Sequence, residues 1–130
     1  MAAQYLTDWN PLIKIGAHTG ILSVIDGATD PGKITIHSST DVLLATLTLD
    51  DPGGAVNGTT GQLSLTPAEN YYTVAADGVA SYATLRDGND TALRSANVQQ
   101  GSSAVSGYCV LIASDLYAGR PVALVSWTIG

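Results

Sequence analysis

Short stretches in which apolar and polar residues alternate recur along the chain, each closed by turn-forming residues. In Lys33–His37, KITIH, Ile34 and Ile36 fall on one face. In residues 41–51, DVLLATLTLDD, Leu43, Ala45, Leu47 and Leu49 alternate with Val42, Leu44, Thr46 and Thr48, and the pattern stops at DDPGG. QLSLT (62–66), YYTVA (71–75), VASYATLR (79–86), TALRSANV (91–98), GYCVLIA (107–113) and PVALVSWTIG (121–130) continue it, and in the last Val125, Trp127 and Ile129 share a face. A period of two is that of a pleated strand with one face buried. The breakers are Asp-Gly, Gly-Gly, Pro-Gly and Asn-Gly, residues that accept positive φ at little cost. The pattern predicts no helix beyond one turn in SDLYAG (114–119).

Many short strands separated by such turns need a second sheet on which to lay their apolar faces. The expected fold is all-β: a single antiparallel β-sandwich, jelly-roll or immunoglobulin-like, spanning residues 13–130. Residues 1–12 fit no strand pattern and read as an extended N-terminal arm. The arm carries Tyr5, Leu6, Trp9 and Leu12, and apolar side chains on a terminal arm need a surface to lie on, in their own core or in a neighbouring subunit.

The hairpin signal is clearest at RDGND (86–90), between VASYATLR and TALRSANV. The two runs pair antiparallel with a loop of two, three or four residues; a three-residue loop, Gly88 to Asp90, would place Leu85 opposite Leu93 and Ala83 opposite Ser95, and the alternation does not choose among these registers. The same residues put Asp87, Asn89 and Asp90 close together, which raises the question of a metal site. A calcium loop needs further oxygen ligands at alternating positions and an acid downstream, where this chain has Ala92, Leu93 and Arg94. The stretch reads as a turn.

Composition narrows the function classes. Charged residues make up only 12% of the chain against 45% hydrophobic, and the net charge is -6. The cationic surface that drives phosphate-backbone binding is missing, so nucleic acid is not an expected partner. The N-terminal residues lack the basic and apolar regions of a secretory signal, and no apolar run is long enough to span a bilayer, so a soluble product made in a cytoplasm is expected, with no membrane partner. Cys109, the one cysteine, sits in an apolar run and reads as a small buried hydrophobe. His18 and His37 have no second histidine or carboxylate at a metal-ligand spacing and read as surface or edge-strand residues. No serine lies in a nucleophile elbow. The acidic pairs Asp26 with Asp30, Asp50 with Asp51 and Asp87 with Asp90 read as loop residues. No catalytic, cofactor or metal site is expected, and the chain reads as a non-enzyme. The aromatic residues Trp9, Tyr71, Tyr72, Tyr82, Tyr108, Tyr117 and Trp127 suit a core or a subunit interface better than a sugar-stacking platform.

Three stretches, GKITIHSSTDVLLATLTLDDP (32–52), DGVASYATLRDGNDTALRSANV (77–98) and DLYAGRPVALVSWTIG (115–130), resemble a family of small β-rich virion-associated proteins of tailed bacteriophages and prophages. The resemblance covers most of the chain from residue 32 onward and consists of strands and turns rather than catalytic residues. The segment AENYYTVAA (68–76) and the N-terminal arm depart from it. The resemblance implies a structural part of the virion, made in the cytoplasm of a bacterial host, and a decoration or cement protein on the capsid surface suits the chain best. Its expected partner is the lattice of the major capsid protein, which it would join as a homo-oligomer, dimer or trimer, with Tyr5, Leu6, Trp9 and Leu12 as contact residues. The alternative is a tail or baseplate accessory domain that touches host glycans.

Overall fold

A computed structural model of the chain describes residues 11–27, 30–105 and 107–129. The described residues contain one helix, α1 (Pro11–Asp26), followed by β1 (Lys33–Ser38), β2 (Leu43–Val56), β3 (Leu63–Pro67), β4 (Tyr72–Thr73), β5 (Gly78–Arg86), β6 (Ala92–Gln100), β7 (Cys109–Leu111), β8 (Asp115–Leu116), β9 (Pro121–Val122) and β10 (Leu124–Ile129). The order of paired strands is β1-β2-β3-β10-β7-β6-β5, and β5 pairs again with β1. The result is a closed seven-stranded barrel, not the expected sandwich of two open sheets. All pairings are antiparallel except β6 with β7, which is parallel.

Two features of the chain produce closure. Strand β1 uses both of its edges: Ile34 faces Leu47 of β2 on one side and Leu85 of β5 on the other. Strand β2 continues through DDPGG instead of stopping there, and a register shift between Leu49 and Gly54 divides it. Its first half lies beside β1 and its second half beside β3. Such an irregularity bends a strand and turns the sheet a corner. Gly54 is needed at that corner, because a Cβ there would collide with the backbone of Ser64 on β3. Closure pairs strand edges that a sandwich would leave open.

The alternation read from the sequence sorts inside from outside except at Leu43, which is exposed while Leu44 is fully buried, and at Val110, which is buried between Cys109 and Leu111. Ile34 and Ile36, Ala45, Leu47 and Leu49, Leu63 and Leu65, Ala83 and Leu85, Cys109 and Leu111, and Trp127 and Ile129 fill the interior. Each fully buried aliphatic side chain of this kind contributes roughly 1.5–3 kcal/mol of transfer free energy.

The two ends of the barrel are closed differently. At one end, where β1 begins and β5 finishes, α1 lies over the opening. Ile25 is fully buried there against Gly32 and Gly53, His18 is buried, and Asp26 Oδ1 accepts the Gly53 N–H at 2.9 Å. This helix was not expected from the sequence, and the boundary drawn between residues 12 and 13 falls within its first turn. At the other end, where β1 finishes and β2 and β5 begin, β4 pairs with β9 and β8 with the first residues of β5. Tyr72, Val74, Leu116 and Val122 are buried there. The single helical turn expected in SDLYAG is instead β8 and the turn after it. These are called below the helix end and the ribbon end.

Candidate functional site

Closure places β2, β1, β5 and β6 side by side, and their outward residues form rows that cross all four strands. Thr46, Thr35, Thr84 and Ser95 stand in register as one row. Toward the helix end lies the row Thr48, Lys33, Arg86 and Ala92; toward the ribbon end lies Leu43, His37, Tyr82 and Asn97. With strands about 4.8 Å apart, each row runs about 14 Å across the barrel. Thr35 and Thr84 are buried although they point outward, because the larger side chains of the flanking rows stand on either side. The hydroxyl row is thus the floor of a groove. A pocket of about 310 Å³ on it is lined by Lys33, Thr35, His37, Leu43, Thr46, Arg86 and Asp90.

Hydrogen bonds hold this groove in one arrangement. The Arg86 Nε–H donates to Thr35 Oγ1 at 3.1 Å, and His37 Nε2 lies 2.9 Å from the same oxygen. The Thr35 hydroxyl also lies 3.5 Å from the Thr84 carbonyl. The His37 Nδ1 is buried and without a hydrogen-bond partner among the described residues. The His37 ring stacks on Tyr82, centroids 4.9 Å apart, and the Tyr82 hydroxyl donates to Asp41 Oδ1 at 2.8 Å. Burial lowers the His37 pKa, and the Arg86 charge lowers it further against an opposing pull from Asp41. The cationic row is met from above by the hairpin: Asp90 Oδ1 lies 3.5 Å from Lys33 Nζ and 3.9 Å from Arg86 Nε, and Arg86 Nη1 donates to the Asp90 carbonyl at 3.1 Å.

A second surface lies at the ribbon end. Val42 and Leu43 follow the β1–β2 turn, Val79 opens β5, Ile112 follows β7 and Tyr117 follows β8, and all five are exposed. Pairing brings these segments together, since Val79 faces Asp115, the Ala80 N–H donates to the Ser114 carbonyl, and the Ser38 N–H donates to the Val42 carbonyl. Val79 keeps 59% and Tyr117 55% of its surface in solvent. Exposed apolar side chains also occur on α1, at Ile13 and Val24.

Of the residues singled out from the sequence, Tyr5, Leu6 and Trp9 lie outside the described residues, and Leu12 falls in the first turn of α1 with its side chain likewise outside them. Asp87 is a turn residue: its Oδ1 accepts the N–H groups of Asn89 and Thr91, both at 2.9 Å, and Asp90 closes the loop at φ 69°. Beyond the loop a register shift places Leu85 opposite Arg94 rather than Leu93, and Ala83 opposite Ala96 rather than Ser95. Cys109 is fully buried and burial pushes its thiol up to about 12. His18, expected at the surface, is buried in α1 with its Nδ1–H donating to the Gly61 carbonyl at 2.6 Å. Tyr72 and Trp127 are core residues, whereas Tyr71, Tyr108 and Tyr117 are exposed. Among the described residues no group of histidine, cysteine and carboxylate side chains is gathered as a metal site, and no helix is long and apolar enough to cross a membrane.

The hydroxyl row was missed because its members lie on four strands far apart in sequence, and only the register joins them. The signal available was the run of threonines on the polar phase of KITIH and ATLTL. Compared with protein-family models, curated proteins and solved structures, the chain finds no match in any of the three.

Proposed function

We propose that this protein is a non-enzymatic structural component of a tailed-phage virion, a decoration or cement protein that binds the assembled capsid and bridges neighbouring capsid subunits. The observation that carries this reading is the exposed apolar cluster at the ribbon end, Val42, Leu43, Val79, Ile112 and Tyr117, on a barrel whose interior is already filled. The resemblance of residues 32–52, 77–98 and 115–130 to virion-associated proteins points the same way. Docking one rigid end needs little rearrangement. The arm residues Tyr5, Leu6 and Trp9, with Leu12 in the first turn of α1, supply a second contact, as bridging requires, and a homodimer or homotrimer on a capsid symmetry axis would repeat both.

The mechanism is mass action. A protein that binds only the assembled shell stabilises it by RT ln(1 + [L]/Kd), about 2.7 kcal/mol per site at a hundredfold excess over Kd. The alternative, a tail or baseplate accessory domain, draws on the exposed Tyr71 as a contact for host saccharide.

The reading is tested by sedimenting the protein with undecorated shells of its phage. Val42→Asp with Val79→Asp, both at exposed positions, should leave the barrel folded and, at protein concentrations near the wild-type Kd, lower occupancy through a Kd at least tenfold weaker, the effect of about 1.4 kcal/mol per site. Full occupancy by that variant would remove the ribbon end from the interface. Full occupancy after deletion of residues 2–10 would remove the arm.

A further inference from the structure

The groove on the side of the barrel has no part in the docking just described, apart from Leu43 at its rim. Its chemistry is specific. Lys33 and Arg86 are two of the five cationic residues of a chain with net charge -6, and they stand side by side on neighbouring strands. Their shared partner is the carboxylate of Asp90, held at 3.5 and 3.9 Å, longer than a direct charged hydrogen bond, on a side chain with 65% of its surface in solvent. An exposed pair of this kind is worth little and is easily exchanged. Arg86 is fixed by Thr35, so it keeps its aim whether or not Asp90 is in place. Beside the cations, Thr46 presents an exposed hydroxyl, His37 an imidazole and Leu43 an exposed apolar edge.

We propose that this groove binds a saccharide unit bearing a carboxylate, a sugar acid of the uronic type. Its carboxylate lies on Lys33 and Arg86 in the position now taken by Asp90. Its hydroxyls meet Thr46 and its C–H edge rests on Leu43. The internal carboxylate of Asp90 marks where the ligand's would sit, and the volume of about 310 Å³ suits one or two sugar rings.

The test is a titration of the full chain, followed through backbone amide shifts, with galacturonate, tri-galacturonate, galactose and sodium acetate. Galacturonate should shift the amides of Lys33, Thr35, Thr46 and Arg86 saturably, and galactose should bind at least tenfold more weakly. Asp90→Asn, which keeps a residue tolerant of positive φ, should tighten galacturonate by up to about fivefold by releasing the cations. Arg86→Gln should abolish binding, and Thr46→Ala, at an exposed position, should weaken it without changing the melting temperature. Tighter binding of the trimer than of the monomer would identify an acidic polysaccharide as the source; equal binding would identify the free sugar acid. Absence of saturable shifts in both the wild type and Asp90→Asn would overturn the proposal. So would acetate binding as tightly as galacturonate, which would reduce the site to an adventitious ion only.

Discussion

The γ2-methyl of Ile25 fills the space that a Cβ on Gly53 would need: such a carbon would stand 2.9 Å from it. The helix and the corner of β2 are therefore fitted to one another, the glycine admitting the isoleucine and the isoleucine sealing the barrel. Gly53→Ala should destabilise the protein by about 1–3 kcal/mol through overpacking. Ile25→Ala should cost about 2–5 kcal/mol through the cavity it leaves. Combined, the two should cost clearly less than their sum, since each removes the other's defect. Urea midpoints of the four proteins measure this, and strict additivity would show that the two residues do not meet.

His37 makes stability depend on pH. Its pKa in the folded state lies below the ordinary 6.5 because burial, then Arg86, disfavours the charged form. The unfolded chain takes up the proton first as pH falls, so this contribution is complete above that value and is lost as pH drops through it toward the lower folded value. Urea midpoints at pH of about 7.5 and 5.5 should fall more in the wild type than in His37→Gln. An equal fall in both would assign the acid sensitivity elsewhere.

Cys109 pairs with Trp127 across β7 and β10 and with Val98 across β6 and β7. With its thiol pushed up to about 12 by burial, almost none is thiolate near neutrality. A disulfide reagent should leave it unmodified in the folded protein and react fully in denaturant. Rapid modification of the folded protein would mean that the barrel opens at the β6–β7 seam.

Asp87 supports the hairpin through two backbone N–H groups. Asp87→Ala should lower stability by about 1–2 kcal/mol, because both donors lose their partner, and Asp87→Asn should recover most of it. A thermal melt of each variant decides the point. Stability unchanged in Asp87→Ala would mean that the loop holds its shape without the carboxylate.

What the sequence disclosed and what it concealed have physical causes. Alternation in KITIH, LLATLTL and SWTI grouped Ile34 with Ile36, Leu47 with Leu49 and Trp127 with Ile129, and those faces are interior, because a period of two is a local property. Closure is not local: it rests on Ile34 pairing with both Leu47 and Leu85, and nothing in a strand's own pattern says that both its edges are used. A sandwich and a barrel therefore share the same alternation. Helix α1 was hidden for a different reason. His18, Ile21, Leu22 and Ile25 have helical spacing, but Ile13 and Val24 are exposed and apolar on the other side, and Gly16 and Gly20 interrupt the run. Without a polar face the periodicity is flat. The hydroxyl groove combines both problems, since each Thr is visible and the register that aligns Thr46, Thr35, Thr84 and Ser95 is not.

The most direct measurement of the proposed role is a reconstruction of the native phage particle. Density for the barrel is expected on the outer surface of the head, with Val42, Val79 and Tyr117 turned toward the shell and the Lys33–Arg86 groove left facing solvent. Density on the tail or baseplate, or a head surface without the barrel, would contradict decoration of the capsid.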